Sequence, residues 1–243
     1  MNTNIQKLPQ LDARLALAAS FVVGDRVVDV GTDHAYLPIY LLKSKKVRSA
    51  AATDINKGPL ERARINAAAY SLDGSIDFYL TDGLGGVPLS DVTDIVICGM
   101  GGELIARIID DPRLKNTDSG HSRRLILQPM SAAAELRQYL AKNGFEVTDG
   151  GTALASGKLY QCIVCRYCGR PYEISAAEAA VGAEGEAIRR SPLYGALVDK
   201  EIRRLEKALA GKRRGGEPCG ADEQVLRELY EIRQGTVGDT AQK

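Results

Sequence analysis

Runs of residues typical of β-strands alternate with helix-like segments along the first two thirds of the chain, and this order restricts the fold more than any other feature. The first five runs are RVVDVGTD, SAAATDI, IDFYLTDG, DIVICGMGG and RLILQPM. The helix-like segments between and after them are AYLPIYLLKS, GPLERARINAAAYSL, GGELIARIIDD and AAAELRQYLAKNG. Strands that alternate with helices form a parallel sheet covered on both faces. The sequence therefore predicts an α/β domain built from five strand–helix units.

Two further strand-like runs close this pattern with no helix between them. FEVTDGGTAL and KLYQCIVCRY are separated only by a Gly/Ser turn near residues 155–158. Such a pair predicts an antiparallel β-hairpin at one edge of the sheet, which brings the expected number of strands to seven. A dinucleotide-binding Rossmann domain would usually continue with another strand–helix unit, so the hairpin favours a different member of the α/β class.

Beyond Pro171 the composition changes to Ala, Glu and Arg with helical spacing. Residues 174–214 and 221–235 form two helix-like segments around the linker GGEPCG, which cannot remain helical. Their apolar residues form two stripes that can face each other, with Leu197, Ile202, Leu205 and Leu209 opposite Val225, Leu226 and Leu229. We therefore expect a helical hairpin domain over residues 173–243, appended to a sheet domain over residues 1–172.

The overall charge does not indicate a ligand. Lys and Arg total 32 against 31 Asp and Glu, so a nucleic-acid-binding surface would have to come from local clusters of charge. The N-terminus lacks the apolar run and small-residue cleavage site of a signal peptide, and no segment reaches the ~18 apolar residues of a membrane span. The sequence predicts a cytoplasmic protein without membrane contact.

Three of the five cysteines, Cys162, Cys165 and Cys168, lie at two-residue gaps in the run CIVCRYC. This spacing resembles part of a zinc or iron–sulfur ligand set, although a fourth ligand is not evident. In a strand, residues three positions apart point to opposite faces, which suits the chelation of one ion poorly. We therefore favour cysteines that pack as small buried hydrophobes over a metal site.

The loop after the first strand-like run contains Gly31, Thr32, Asp33 and His34. A dinucleotide pyrophosphate in this loop would meet a carboxylate, and two like charges about 4 Å apart repel by about 4 kcal/mol at an effective dielectric near 20. S-adenosyl-L-methionine avoids that conflict because it has no phosphate and its sulfonium and ammonium groups favour nearby carboxylates. Gly31 allows the backbone to approach such a ligand closely. The alternative is an ordinary strand-to-helix turn.

Acidic or glycine-rich residues also follow the next three strand-like runs. Asp54 comes 23 positions after Gly31, where an acidic residue accepts hydrogen bonds from ribose hydroxyls. Asp82 and Gly83 follow the third run, where they can contact an adenine edge, and the fourth run ends in GMGG at residues 99–102. A single aspartate at a strand end is more often a helix cap. Three such strand ends in succession favour a ligand site.

The segments VDVGTDHAYLP, TDGLGG, ICGMGGELI and LILQP, in this order and followed by a helical tail, closely resemble the bacterial tRNA (adenine(22)-N(1))-methyltransferase family. The resemblance covers most of residues 11–170. It implies the Rossmann-like seven-stranded fold of class I methyltransferases, S-adenosyl-L-methionine as cofactor and tRNA as substrate, methylated at N1 of adenine 22. One departure is Met130, which stands where the family pattern has Asn.

The resemblance also implies roles for single residues. Adenine N1 has an in-plane lone pair that attacks a methyl group without prior deprotonation, and the product ring is cationic, so a nearby carboxylate serves as its electrostatic partner. Asp33 is the catalytic candidate for that role. The cofactor-binding candidates are Gly31, Asp33, His34, Asp54, Asp82, Gly83, Gly99, Met100 and Gly101. His34 is equally consistent with a packed or capping histidine.

Adenine N1 lies on the Watson–Crick edge, so the base must be unpaired or flipped before it is methylated. The candidates for substrate contacts are Tyr36, Gly102, Gln128 and Pro129 near the base and Arg203, Arg204, Lys212, Arg213 and Arg214 at tRNA phosphates. Tyr36 is equally consistent with a core position. The further basic pairs are Arg123, Arg124, Arg189 and Arg190, although runs of charge are usually solvated faces.

Two other functions fit the same sequence. One is a small-molecule methyltransferase on the same scaffold, and the other is a non-catalytic module that binds S-adenosyl-L-methionine or a nucleotide and interacts through its helical hairpin. Arginine pairs in the tail argue against the first of these. We expect a monomer without a stable protein partner.

Overall fold

The computed structural model describes residues 8–115 and 123–240. Its strands are β1 (Arg26–Val30), β2 (Ser49–Asp54), β3 (Ile76–Leu80), β4 (Asp94–Gly101), β5 (Arg124–Ser131), β6 (Phe145–Ala155) and β7 (Lys158–Tyr167). They form one sheet in the order β3-β2-β1-β4-β5-β7-β6, in which the first five strands are parallel and β7 is antiparallel to β5 and β6. The predicted α/β class, the seven strands and the edge hairpin are confirmed.

Helices cover both faces of this sheet. They are α1 (Ala13–Phe21), α2 (Tyr36–Lys43), α3 (Lys57–Ala69), α4 (Gly102–Ile109) and α5 (Ala133–Lys142). The start of α1 is fixed by Asp12, whose carboxylate accepts hydrogen bonds from the backbone amides of Arg14 and Leu15 at 3.0 and 2.9 Å. This cap places the Arg14 side chain at the first turn of the helix, next to the carboxyl ends of β4 and β5.

The prediction of five strand–helix units is wrong, because no helix lies between β3 and β4. Residues 81–93 form turns without a helix. Gly83 and Gly86 have φ angles of 59° and 68° in this segment, and Pro88 follows them. Left-handed glycines and a proline interrupt the regular backbone that a helix requires. The chain therefore returns from β3 to β4 through a loop.

The core consists of two apolar layers because each central strand is buried on both faces. Val28, Ile95 and Leu125 point towards α4 and α5, whereas Val27 and Val96 point towards α1, α2 and α3. Alternate residues of a strand face opposite sides, so a continuous apolar run supplies both layers. These layers hold the strand ends in a rigid row along the carboxyl edge of the sheet.

The cysteines of β7 lie in different layers of the core, as predicted. Cys162 belongs to the layer beneath α1 and Cys165 to the layer beneath α5, and both thiols are fully buried. Burial raises the pKa of both thiols, and that of Cys162 reaches about 12. Within residues 8–115 and 123–240, no group of three or more His, Cys, Asp or Glu side chains has a metal-binding arrangement.

The C-terminal part contains α6 (Ala176–Val181), α7 (Tyr194–Gly215) and α8 (Gly220–Thr240), so the expectation of one helix over residues 174–214 is wrong. The short helix α6 begins at a capping box formed by Ser175 and Glu178. It ends at Gly182, whose φ of 103° favours glycine. A Cβ atom at this position would also lie 2.5 Å from Ile188. A short 3₁₀ turn, Ala187–Arg190, then leads to α7.

The predicted helical hairpin is formed by α7 and α8. Leu197, Ile202, Leu205 and Leu209 are buried along α7, and they form one cluster with Val225, Leu226 and Leu229 of α8. The helix α7 ends at Gly216, which adopts a left-handed conformation with a φ of 70°. Of the helices in the described part of the chain, none is both long and apolar enough to cross a bilayer.

A buried polar cluster joins the C-terminal helices to the sheet domain. Arg137 of α5 is only 1% exposed. Its guanidinium donates to Gln161 Oε1 at 2.6 Å and to Glu186 Oε2 at 3.4 Å, and Gln161 Nε2 donates to the carbonyl of Ala180 at 3.0 Å. Side chains of α5 and β7 therefore bind directly to α6 and to the segment before α7.

Candidate functional site

The order of the strands locates a crevice at the carboxyl ends of β1 and β4. From β1 the chain proceeds outwards to β2 and β3, whereas from β4 it proceeds in the opposite direction to β5. Ligands of open α/β sheets bind where the order reverses in this way. A cavity of about 400 Å³ lies at this point. Its lining residues include Arg14, Asp29, Gly31, Asp33, His34, Tyr36, Cys98, Gly99 and Met130.

Gly31 brings the backbone to the floor of this cavity. The φ of Gly31 is 77°, and its amide and that of Thr32 both donate to the carbonyl of Thr53 at 2.8 Å. A Cβ atom on Gly31 would lie 2.1 Å from the terminal methyl of Met100. The positive φ favours glycine at this position, whereas the Met100 side chain could move away from a Cβ atom. The structure brings these two predicted site residues into contact.

Asp33 and His34 form a small polar group at the mouth of the cavity. The Asp33 carboxylate accepts a hydrogen bond from Arg62 Nη2 at 2.9 Å and lies 3.3 Å from His34 Nε2. The His34 ring stacks on Tyr36 with 5.3 Å between the ring centroids. The side chain of Asp33 is 63% exposed, so its charge is directed towards solvent and any ligand that enters. Sequence reasoning missed Arg62, because no local pattern links α3 to the loop after β1.

Asp54, Asp82 and Gly83 lie along the same edge of the sheet but outside this cavity. The Asp54 carboxylate accepts a hydrogen bond from the Asn56 amide at 2.7 Å. Asp82 and Gly83 line a separate depression of about 410 Å³, where Asp82 lies 3.8 Å from Arg107. The two regions are connected by Thr53, whose hydroxyl donates to the carbonyl of Gly83 at 2.9 Å. The predicted residues therefore follow a line from β1 to β3 with two separate depressions, and Asp54 lines neither of them.

The glycines after β4 have different surroundings. Gly99, with a φ of 81°, lines the cavity. Gly101 ends β4 and precedes the first residue of α4. Gly102 is buried, and a Cβ atom there would lie 2.1 Å from the carbonyl oxygen of Ala132. Close packing of α4 against the start of α5 is sufficient to explain why position 102 is glycine.

Gln128 is held in a network that sequence reasoning missed. Its side chain is only 1% exposed, and its Oε1 accepts hydrogen bonds from the Gly99 amide at 3.2 Å and from Arg14 Nη1 at 3.1 Å. The same Arg14 nitrogen lies 3.3 Å from the sulfur of Met130. Pro129 follows Gln128 in β5, and its carbonyl accepts from Gln128 Nε2 at 3.1 Å. Arg14 therefore connects α1 to the ends of β4 and β5.

Asp29 is another residue that sequence reasoning missed. It lies in β1, is 7% exposed and lines the cavity. Burial raises the pKa of the Asp29 carboxyl to about 6, and the negative charge of Asp54 contributes to the increase. An ionised carboxylate in this position is stabilised by a cationic ligand. A single acidic residue inside an otherwise apolar strand was the available signal in the sequence.

The predicted phosphate-binding cations of the tail differ in how they are paired. Arg203 is exposed and has no hydrogen bond or ion pair with another described residue. Arg204 binds Glu201 at 2.7 Å, and Arg213 binds Glu223 at 2.8 Å. Lys212 forms an ion pair with Asp222, while Arg214 donates to the carbonyl of Ala210 at 3.2 Å. Three of these five cations therefore face carboxylates within the helical hairpin.

The other basic pairs are held mainly by backbone carbonyls. Arg123 and Arg124 lie at the amino end of β5, opposite the candidate site, and donate to the carbonyls of Leu89 and Phe21. This pair therefore lies at the end of β5 away from the cavity, and its contact with tRNA phosphates stays a prediction. Arg189 donates to the carbonyl of Gly182 at 3.1 Å, and Arg190 lines a distant cleft beside β6.

Comparison with known proteins identifies related chains. Residues 11–163 match a family described as a methyltransferase domain. The tRNA (adenine(22)-N(1))-methyltransferase of Bacillus subtilis (strain 168) is 34% identical over 156 residues, which are 64% of this chain and 64% of that protein. The match to a second curated relative, from Mycoplasma genitalium, covers 65% of its length. The chain thus spans slightly less than two thirds of these curated relatives.

Solved structures resemble the chain over a greater length. A Streptococcus agalactiae protein of the NADB-Rossmann superfamily is 30% identical, with a TM-score of 0.79 over 95% of this chain and 100% of its own. A candidate tRNA (m1A22) methyltransferase from Streptococcus pneumoniae is 32% identical, with a TM-score of 0.77 over 92% of this chain and 100% of its own. The latter protein has also been solved in complex with S-adenosyl-L-methionine.

Proposed function

The chain belongs to the tRNA (adenine(22)-N(1))-methyltransferase family, and we propose that it transfers a methyl group from S-adenosyl-L-methionine to N1 of adenine 22 in tRNA. The observation that carries this proposal is the cavity at the ends of β1 and β4, which is lined by two carboxylates, Asp29 and Asp33, and by the backbone of Gly31. Two negative charges disfavour a pyrophosphate and favour a cationic ligand. We also propose that the protein is a cytoplasmic monomer and that its partner is tRNA.

The residues of the cavity fit the proposed cofactor. S-adenosyl-L-methionine, when bound, supplies an electrophilic methyl group on a positively charged sulfur. Asp29 is buried and has a raised pKa, so a positive charge beside it would lower that pKa and stabilise its ionised form. Asp54 stands at the end of β2, where a carboxylate accepts hydrogen bonds from ribose hydroxyls. Asp82 and Gly83 lie further along the same edge, and there they would contact the adenine of the cofactor.

Asp33 is proposed to act on the substrate base. The lone pair of adenine N1 attacks the methyl carbon directly, so the protein need not remove a proton beforehand. A positive charge then develops on the adenine ring. The exposed carboxylate of Asp33 stabilises that charge, because it is held at the mouth of the cavity before the reaction begins. Its hydrogen bond with Arg62 fixes the orientation of the carboxylate and moderates its charge.

The flipped adenine would be supported by the stacked rings of His34 and Tyr36, beside Gln128 and Pro129. Tyr36 is 42% exposed, so one part of its ring is accessible to a base. Among the five predicted cations of the tail, Arg203 is the strongest candidate for a phosphate contact because it has neither a carboxylate nor a carbonyl partner among the described residues. Lys212 and Arg213 would have to exchange their carboxylate partners for phosphates.

The experiment uses the full chain, methyl-labelled S-adenosyl-L-methionine and transcribed tRNA with adenine at position 22. We expect label in the tRNA and N1-methyladenosine in its nuclease digest. The matched control is the same tRNA with 1-deazaadenosine at this position, which lacks the attacking nitrogen but retains the exocyclic amine. Equal labelling of both tRNAs would contradict methylation at N1.

The same assay separates the two alternatives. A small-molecule methyltransferase would leave the tRNA unlabelled and would label a compound from a metabolite extract. A non-catalytic module would bind S-adenosyl-L-methionine in calorimetry but produce no S-adenosylhomocysteine with either substrate. Each of these results would overturn the proposed activity.

A further inference from the structure

A second cavity lies between the carboxyl end of β5 and the helix α7. We name it the tail-side cavity, and its volume is about 310 Å³. Its lining side chains include Met130, Glu135, Tyr160, Lys200, Glu201 and Arg204. This volume is at the lower end of the range for small-ligand sites and suits a single nucleotide. The tail-side cavity is therefore built jointly by the sheet domain and the C-terminal helices.

Only a thin wall separates the tail-side cavity from the candidate cofactor cavity. Met130 lines both of them. Its sulfur lies 3.3 Å from Arg14 Nη1, and the Arg14 guanidinium lies over the ring of Tyr160 at 5.3 Å from the ring centroid. Met130, Arg14 and Tyr160 thus form a continuous partition. An RNA strand with its target base at the mouth of the candidate cofactor cavity would have a neighbouring nucleotide close to the tail-side cavity.

The lining of the tail-side cavity combines apolar and cationic groups. Met130 and Tyr160 offer a thioether and an aromatic ring, both of which pack well against a nucleobase. Lys200 and Arg204 lie at the rim, and their side chains are 48% and 62% exposed. Both cations are near Glu201, at 4.0 Å from Lys200 and 2.7 Å from Arg204. Glu135 also lines the cavity, so its two cations face two carboxylates. A phosphate that binds there would compete with Glu201 for Arg204.

We propose that the tail-side cavity binds the nucleotide adjacent to the target adenine in the tRNA strand. The base of that nucleotide packs against Met130 and Tyr160, and its phosphate binds Arg204 and Lys200. This inference rests on the proposed function, because it assumes that the target adenine lies at the mouth of the candidate cofactor cavity, beside Asp33.

The first test compares single substitutions on α7. Arg204→Ala and Lys200→Ala remove cations from the cavity rim, whereas Lys207→Ala removes an exposed cation from the same helix outside the cavity. Binding of fluorescent tRNA is measured by anisotropy at several salt concentrations. We expect Arg204→Ala to weaken binding about tenfold and to reduce the salt slope by about one, with little change for Lys207→Ala. Equal effects of Arg204→Ala and Lys207→Ala would overturn the proposal.

The second test identifies the nucleotide. An abasic residue is placed on the 5′ or the 3′ side of adenine 22, and binding to wild type is compared with binding to Met130→Ala. We expect one of the two abasic tRNAs to bind wild type several-fold more weakly, and we expect most of this loss to disappear in Met130→Ala. The proposal is overturned if neither abasic tRNA binds more weakly, or if the loss is the same in both proteins.

These results are distinguishable from failure of the proposed function. Anisotropy reports binding without turnover, so it gives an answer even if wild type does not methylate tRNA. If wild type methylates tRNA and Arg204→Ala raises KM for tRNA without changing kcat, both proposals are supported. If wild type methylates tRNA and the rim substitutions change neither KM nor affinity, only the tail-side cavity is rejected. Unchanged circular dichroism and cofactor affinity in the variants establish that the folds are intact.

Discussion

The buried cluster around Arg137 makes a strong prediction about stability. Arg137→Met replaces the guanidinium with an apolar side chain of similar length. It leaves the carboxylate of Glu186 without its cation and Gln161 Oε1 without its 2.6 Å donor. The side chains of Arg137 and Glu186 are only 1% and 9% exposed, so solvent does not replace the lost contacts. Removal of one partner from a buried ion pair costs about 3–5 kcal/mol, and we expect a loss in this range.

The assay is urea unfolding of the full chain, followed by circular dichroism, with the loss calculated from the shift in midpoint at constant slope. The matched control is Arg166→Met, which breaks the ion pair with Glu146 at the surface. That pair has a separation of 2.9 Å, but its side chains are 52% and 49% exposed. An exposed pair contributes about 0–1 kcal/mol, so the control should lose little stability.

A double substitution tests the explanation itself. Arg137 Nη2 has no acceptor among the described residues, so the buried pair is incompletely satisfied. Replacement of both charges, as in Arg137→Met with Glu186→Leu, should therefore recover much of the loss seen in Arg137→Met alone. The reasoning is refuted if Arg137→Met costs no more than Arg166→Met, or if the double variant loses the sum of the two single effects.

The candidate site makes three further predictions. Asp33→Asn should lower the single-turnover methylation rate at saturating cofactor by ~10²-fold, the scale of one preorganised electrostatic contact; a near-wild-type rate would assign Asp33 to loop structure. Asp54→Ala should weaken S-adenosyl-L-methionine binding, because each charge-assisted hydrogen bond to the ribose contributes roughly 1.5–3 kcal/mol; unchanged affinity in calorimetry would contradict this role. Because the pKa of Asp29 is raised to about 6 in the free protein, acidification through about pH 6 protonates it and removes the charge that favours a cationic ligand. Cofactor affinity should therefore fall as pH decreases through this range and become less dependent on pH in Asp29→Asn; an identical pH profile in both proteins would exclude Asp29 as the titrating group.

The periodic features of the sequence predicted the sheet and most of the site residues at the carboxyl ends of its parallel strands. Alternating strand and helix patterns depend on residues close together in the chain, and the glycines at positions 31 and 99 adopt the positive φ angles that their loops require. The sequence does contain signals against one continuous helix over residues 174–214. The sequence SAAE at residues 175–178 is a capping box, and Ser191 followed by Pro192 interrupts a helix.

The buried polar contacts were not predictable in the same way. Arg14 and Gln128 are 114 positions apart, and Arg137 and Glu186 are 49 positions apart. Neither separation along the chain corresponds to the repeat of a helix or a strand. From the sequence alone, each arginine is indistinguishable from an ordinary exposed residue of an amphipathic helix. Which acceptor a buried guanidinium reaches depends on how whole elements pack, and one sequence does not give that information.

These distant contacts change the role of the tail. A helical hairpin attached by a flexible linker would bind RNA independently of the sheet domain. Its removal would leave the cofactor cavity unaffected. In the structure, α6 is bound through Gln161, and Glu186 before α7 is bound by Arg137. This docking brings Lys200 and Arg204 beside the end of β5. Removal of the tail would expose the buried guanidinium and also dismantle one wall of the tail-side cavity. Single substitutions on α7 therefore test substrate binding more cleanly than truncation, because they leave the docking contacts in place.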